Sequence, residues 1–237
     1  MDCSPSSNDA HHPELYRKDG DLVVSAPDKA GGRIFYRIHR FMLSDHSSVF
    51  RDMLTMPPAA DGSLETYDGI PVVHLPDPGK DLDALLTILY DPSEILFDKH
   101  DPCVPIDILG VLKLATKYDF RKLRRRIIEQ YIPAWPDTLM EWDHLEQTMS
   151  TWRRDFNTIA PAYLDEVFPE PGGAVRLARE CNIPEILPAA FYSLSRISEE
   201  DDWNRYHRSM GVSDCDLDAL NDGKRTAHWH MLSIKDC

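Results

Sequence analysis

Leu22-Val23-Val24-Ser25-Ala26 and Ile34-Phe35-Tyr36-Arg37-Ile38-His39, joined by Pro27-Asp28-Lys29-Ala30-Gly31-Gly32-Arg33, decide the fold class. Both runs are rich in β-branched and aromatic residues, which pack well on a pleated surface. The paired glycines of the connector tolerate positive φ, so the spacing predicts a hairpin. Helical spacing takes over at once. Val49, Phe50, Met53 and Leu54 form one apolar face, Ser47 or Ser48 suits its cap, and Pro57-Pro58 stops it.

Further along, Val72-Val73-His74-Leu75 predicts a third strand, ended by Pro76. Leu82, Leu85, Leu86 and Leu89 then make a helical stripe whose acidic first turn, at Asp81, suits the helix dipole. It stops before Asp91-Pro92. Residues 93–105 carry repeated turn signals and read as a loop with an extended piece around Ile95-Leu96-Phe97. Beyond Pro105 the pattern is helical. Ile108, Val111, Leu112, Ala115 and Tyr118 form one stripe, and Leu123, Ile127, Ile128 and Tyr131 the next. A longer helix follows, with Asp137 as its cap and Trp142, Leu145, Met149, Trp152 and Phe156 on one face.

Two segments repeat a pattern. Leu114-Ala115-Thr116-Lys117-Tyr118-Asp119-Phe120-Arg121-Lys122-Leu123 parallels Leu177-Ala178-Arg179-Glu180-Cys181-Asn182-Ile183-Pro184-Glu185-Ile186. Asp and Asn tolerate the left-handed conformation that ends a helix, and the apolar residue after them tucks into the corner. Each copy therefore predicts a helix–corner–helix unit. Two copies suit a common hairpin as well as a solenoid.

Composition bounds the function. A net charge of −14 disfavours nonspecific binding to nucleic acid or anionic membrane, both polyanions. The five cysteines, Cys3, Cys103, Cys181, Cys215 and Cys237, are odd in number and lack C-x-x-C spacing, so no disulfide framework or zinc finger is expected. No apolar run approaches the ~20 residues of a membrane span. The expectation is a reduced compartment, cytosol or nucleus. The organisation reads as a flexible leader over 1–14, an α+β domain over 15–132, an all-α extension over 133–210 and a weakly patterned acidic tail over 211–237. Residues 199–222 hold eight acidic side chains against two basic.

Gly20-Asp21-Leu22-Val23-Val24, then Phe35-Tyr36-Arg37-Ile38-His39-Arg40-Phe41-Met42-Leu43, then Ser47-Ser48-Val49-Phe50-Arg51-Asp52-Met53 follow a known pattern. From Asp19 to Tyr131 the chain resembles a BTB/POZ domain. His12-Pro13-Glu14-Leu15-Tyr16 and the stretch from Cys181 to Tyr192 resemble the BTB proteins of basidiomycete fungi, which carry a helical extension. The resemblance implies a small three-stranded sheet packed with helical hairpins. It also implies protein partners, homodimerisation and, in some members, substrate delivery to a cullin ubiquitin ligase, with no cofactor. The surface implied for docking comprises Leu89, Tyr90, Glu94, Ile95 and Phe97, although Tyr90-Asp91-Pro92 stands where the family commonly has Tyr-Thr-Gly. Asp21 and Arg40 match a paired acid and base that line a partner-facing pocket in some members; an ordinary brace between strand and helix is the competing account.

Other constellations carry less. His39 and Ser44-Asp45-His46-Ser47 invite a catalytic reading, but a triad needs convergence in space, and polar groups at helix starts explain these residues better. Lys117, Arg121, Lys122, Arg124, Arg125 and Arg126 form the one dense basic run. It lacks an aromatic platform or DNA-binding motif, so a solvated face is favoured over a nucleic-acid surface. Cys215, His228, His230 and Cys237 fit no common zinc spacing. The stripe of Trp142, Met149, Trp152 and Phe156 is read as core packing against a neighbouring helix rather than a ligand cage, and it becomes a partner groove only if its helix is unpaired. No P-loop, dinucleotide fingerprint or metalloprotease helix appears.

Overall fold

The structure, a computed structural model, describes residues 9–29, 31–56, 65–95, 101–156 and 170–196. They form a mixed α/β protein with one five-stranded sheet and eight α-helices among the described residues. The chain divides into two compact units, Met1–Leu96 with Gly110–Arg126, and Phe97–Leu109 with Ile127–Cys237.

The first unit holds the sheet. Strands β2 (Leu22–Pro27) and β3 (Arg33–Ile38) are the predicted hairpin, in unbroken antiparallel register from Leu22 opposite Ile38 to Pro27 opposite Arg33. β5 (Ile70–His74) lies parallel to β2 on its other side. Residues 22–26 are all buried, which explains their continuous apolar run: both faces of this strand are covered.

Two strands beyond the three expected complete the sheet, in the order β1-β3-β2-β5-β4. β1 (Ala10–Tyr16) runs parallel to β3 at one edge, so residues 10–14 are strand rather than flexible leader. Its pairing is irregular between His11 and Tyr16, where Pro13 supplies no N–H to a ladder. The His12 imidazole takes over there, its Nδ1 accepting the N–H groups of Glu14 and Leu15 at 3.2 and 2.9 Å. β4 (Thr66–Tyr67) is a two-residue strand joined to β5 by Asp68 and Gly69, whose φ values of 52° and 73° make the tight hairpin turn. Tyr67 stacks on Phe35 of β3, ring centroids 4.1 Å apart, in a cluster with Val23.

Helices α1 (Arg40–His46) and α2 (Ser48–Thr55) follow β3. Ser47 caps α2, its Oγ accepting the Phe50 N–H at 3.0 Å. α3 (Gly79–Tyr90) buries Leu82, Leu85 and Leu86. The acidic first turn expected to favour this helix has a cost: burial pushes the Asp81 carboxyl above its ordinary value, against Lys80 and Lys113. The extended piece expected near Ile95 is instead the end of a short 3₁₀ turn, Pro92–Ile95; Leu96 and Phe97 lie outside the described residues.

Helices α4 (Val104–Lys117) and α5 (Arg121–Tyr131) each run through both units. The second unit adds α6 (Leu139–Phe156), α7 (Pro171–Glu180) and α8 (Leu187–Arg196). Thr138, not Asp137, caps α6. Its Oγ1 accepts the Glu141 N–H at 3.3 Å while the Glu141 carboxylate reaches back to the Asp137 and Thr138 N–H groups, a reciprocal capping box. At the start of α7 the buried Glu170 carboxylate accepts the N–H groups of Gly172 and Gly173.

The repeat is present as geometry. Asp119 and Asn182 adopt φ of 56° and 53°, and the next residue's N–H returns to the carbonyl five positions back in both: Phe120 to Ala115 and Ile183 to Ala178, each at 2.8 Å. These are paired Schellman corners.

Candidate functional site

The site begins where β3 turns into α1. A helix start leaves its first N–H groups without intrahelical partners, and the cap residue here, His39, supplies no side-chain acceptor of its own. Two side chains from elsewhere fill the gap. Asp21, just ahead of β2, accepts the Arg40 N–H through Oδ1 at 2.6 Å. Tyr90, the last residue of α3, accepts the His39 N–H through its hydroxyl at 2.9 Å.

The same hydroxyl lies 2.9 Å from His39 Nδ1. Accepting the backbone N–H leaves this hydroxyl its own proton to give to Nδ1, an arrangement that puts the ring proton on Nε2. Nε2 faces Asp19 Oδ2 at 3.3 Å. Arg17 places its guanidinium 4.6 Å over the Tyr90 ring, a cation–π contact. Burial raises the Tyr90 pKa, Asp19 and Asp21 add to the rise, and the His39 N–H and Arg17 oppose it. The Asp19 carboxylate is held below its ordinary range, first by its own backbone N–H and then by His39. Gly20 permits the close approach of this segment: a Cβ there would stand 2.9 Å from the Ile38 backbone nitrogen and oxygen.

Phe41 stands on this base, 61 % exposed, its ring 5.7 Å from that of His39. The arrangement is a surface aromatic beside charged groups whose positions are locked by mutual hydrogen bonds.

The expected residues separate on this geometry. Asp21, Arg40 and Tyr90 converge around His39. Asp21 meets Arg40 through its backbone N–H, so the paired acid and base act as a brace from strand to helix, and no Asp21–Arg40 side-chain pair occurs among the described residues. Ile95 is buried at 3 % exposure and offers no surface, a correction to its expected docking role. Leu89 is half-buried, Glu94 belongs to the short 3₁₀ turn, and Phe97 lies outside the described residues. Sequence reading missed Arg17 and Asp19; their one signal was position beside the turn that Gly20 closes.

A second cluster has the connectivity of a hydrolytic triad. Ser25 Oγ is 2.5 Å from His74 Nδ1, and His74 Nε2 is 3.1 Å from Glu65. Ser25 is wholly buried, however, and Arg33 Nε donates to its Oγ at 2.8 Å while Arg33 Nη2 donates to the carbonyls of Ser25 and Leu75. A nucleophile must reach a substrate carbonyl, and this oxygen is sealed. The network ties β2, β3 and β5 together. Ser44, Asp45, His46 and Ser47 do not converge either: Ser44 Oγ donates to the Arg40 carbonyl at 3.1 Å, and Ser47 serves as a cap.

Among the described residues no group of three or more His, Cys, Asp or Glu side chains is placed to hold a metal ion, and no helix is long and apolar enough to cross a membrane. Cys215, His228, His230 and Cys237 lie outside those residues. No family model matches the chain, and no curated protein matches it.

Proposed function

We propose that this chain is a protein-interaction adaptor of the BTB/POZ kind, working through surfaces rather than chemistry in the cytosol or nucleus. One observation carries the reading: Phe41 projects from a base in which Tyr90, His39, Asp19 and Arg17 hold one another in place. An exposed aromatic on a pre-organised support loses little entropy on binding, which is the character of an interface anchor. The five-stranded mixed sheet followed by helical hairpins is compatible with that family's layout. The resemblance of residues 19–131 supplies the partner class, a cullin N-terminal domain.

Calorimetric titration of the whole chain with such a domain tests this. The expected result is a micromolar or tighter complex, weakened at least about tenfold by Phe41→Ala. Absence of heat from the folded protein sinks the ubiquitin-ligase reading.

A second reading, a self-associating or transcriptional scaffold, draws on α5, where Arg121, Lys122, Arg125 and Arg126 are all exposed. It expects mass that rises with concentration, or salt-sensitive DNA binding abolished by Arg125→Glu/Arg126→Glu. Indifference of DNA binding to that double change removes the transcriptional version.

A further inference from the structure

The start of α6 leaves a different surface open. Leu139 and Met140 are each 78 % exposed, and Tyr192 of α8 is 51 % exposed. Trp142 stands edge-on to Tyr192, ring centroids 4.8 Å apart, so the two helices bring these side chains together within one unit. Leu139 lies three residues before Trp142 and hence on the same helical face. Leu145 and Met149 continue that face and are half-buried. Scattered exposed apolar residues are ordinary, whereas a run of them marks an interaction surface.

The start of this ridge is acidic. Asp137, Glu141 and Asp143 are exposed, and residues 137–151 include no lysine or arginine. The capping box pins Glu141 beside Asp137, and the Glu141 carboxyl, by hydrogen bond and by charge, pushes Asp137 above its ordinary value. Two acids are thus held together with no lysine or arginine in the first three turns of their helix. The Arg179 guanidinium of α7 lies 5.6 Å from the ring of Phe191, one residue before Tyr192. A nucleic acid or an anionic lipid surface is repelled by the acids at the start of α6.

We propose that this ridge docks a basic amphipathic helix of a protein partner, its apolar side chains on Leu139, Trp142 and Tyr192 and its lysines or arginines over Asp137, Glu141 and Asp143. From Leu139 to Met149 the face runs about 15 Å at 1.5 Å per residue, which accommodates about three turns of a partner helix with anchors at i, i+3 or i+4 and i+7. This surface is separate from the Phe41 site, and its test does not depend on a cullin.

The test titrates the whole chain with two synthetic helices of about 14 residues, long enough to fold on contact. One carries leucine and lysine at amphipathic spacing, the other leucine and glutamate at the same positions. The lysine helix is expected to bind with a micromolar dissociation constant, and the glutamate helix at least about tenfold more weakly. Leu139→Ser should weaken the lysine helix by about tenfold or more with circular dichroism unchanged, because this side chain already stands in water. Equal affinity for the Leu139→Ser variant and the parent overturns the proposal, since the attraction is then only that of a chain carrying −14 for any cation. No binding overturns it too, because the ridge is then covered in solution, by other residues of the chain or by a second copy.

Discussion

The corners at Asp119 and Asn182 share a backbone and differ in what surrounds the side chain. Both residues sit near φ of 55°, and both are followed by a buried apolar residue, Phe120 at 0 % and Ile183 at 1 % exposure. At the first corner the Asp119 carboxylate accepts from the Ser48 hydroxyl and pairs with Arg121 Nε at 2.7 Å, while the neighbouring Ser47 hydroxyl donates to the Tyr118 carbonyl. Asn182 is exposed. One local solution to ending a helix has thus been used twice, and at Asp119 it is also a joint to α2 through Ser48. The lesson is that the turn comes from local chemistry and the joint from tertiary neighbours.

The comparison is easiest to break at the residue after the corner. Phe120→Ala should cost about 3–5 kcal/mol and Ile183→Ala about 2–5 kcal/mol in denaturant unfolding, since each empties a sealed site. If either costs under about 1 kcal/mol, that corner is not packed as described. Next comes the helix leading into the second corner. Glu170→Ala strips two buried N–H groups at the start of α7 of their acceptor and should cost about 1–2 kcal/mol. Hydrogen exchange at Gly172 and Gly173 should rise with it; unchanged protection there would mean that the cap contributes nothing.

Smaller effects sharpen the contrast. Asn182→Ala puts into the left-handed region a residue without the short polar side chain that suits asparagine to it, at about 1 kcal/mol. Glycine at each corner separates backbone from side chain. Asp119→Gly should lower the melting temperature, because it removes the bonds to Ser48 and Arg121, and Asn182→Gly, at an exposed side chain, should lower it less. Equal responses would make the two corners equivalent.

The pH response divides them as well. Arg121 and Ser48 hold the Asp119 carboxyl below its ordinary value. A depressed folded pKa gives stability that is present above the unfolded value, about 3.9, and is lost as pH falls through the folded one. The stability gap between the parent and Asp119→Asn should therefore be open at pH 7 and close below about pH 4. A gap that persists in acid would mean the carboxylate charge is not what joins the corner to α2.

These contrasts mark how far the sequence could be read. The hairpin of β2 and β3, the helical stripes and both left-handed corners were legible because period, turn residues and caps act within a few positions. The edge strand β1 was not. His11, His12 and Pro13 carry no alternating pattern, and the strand exists because β3 offers a free edge to pair with. The Asp137 cap was missed by one residue, since Thr138 and Glu141 together satisfy more donors than either alone.

The candidate site divides along the same line. Asp21, Arg40 and Tyr90 drew attention in the sequence, yet the bond that Asp21 makes to a backbone N–H rather than a guanidinium shows only in three dimensions. By itself the sequence determined the β2–β3 hairpin, the helical stripes and the places where the chain turns, because those depend on neighbours in the chain. The tertiary structure alone decided which side chains complete the start of α1, for those bonds span 19 residues in one case and 51 in the other, and no local spacing encodes them.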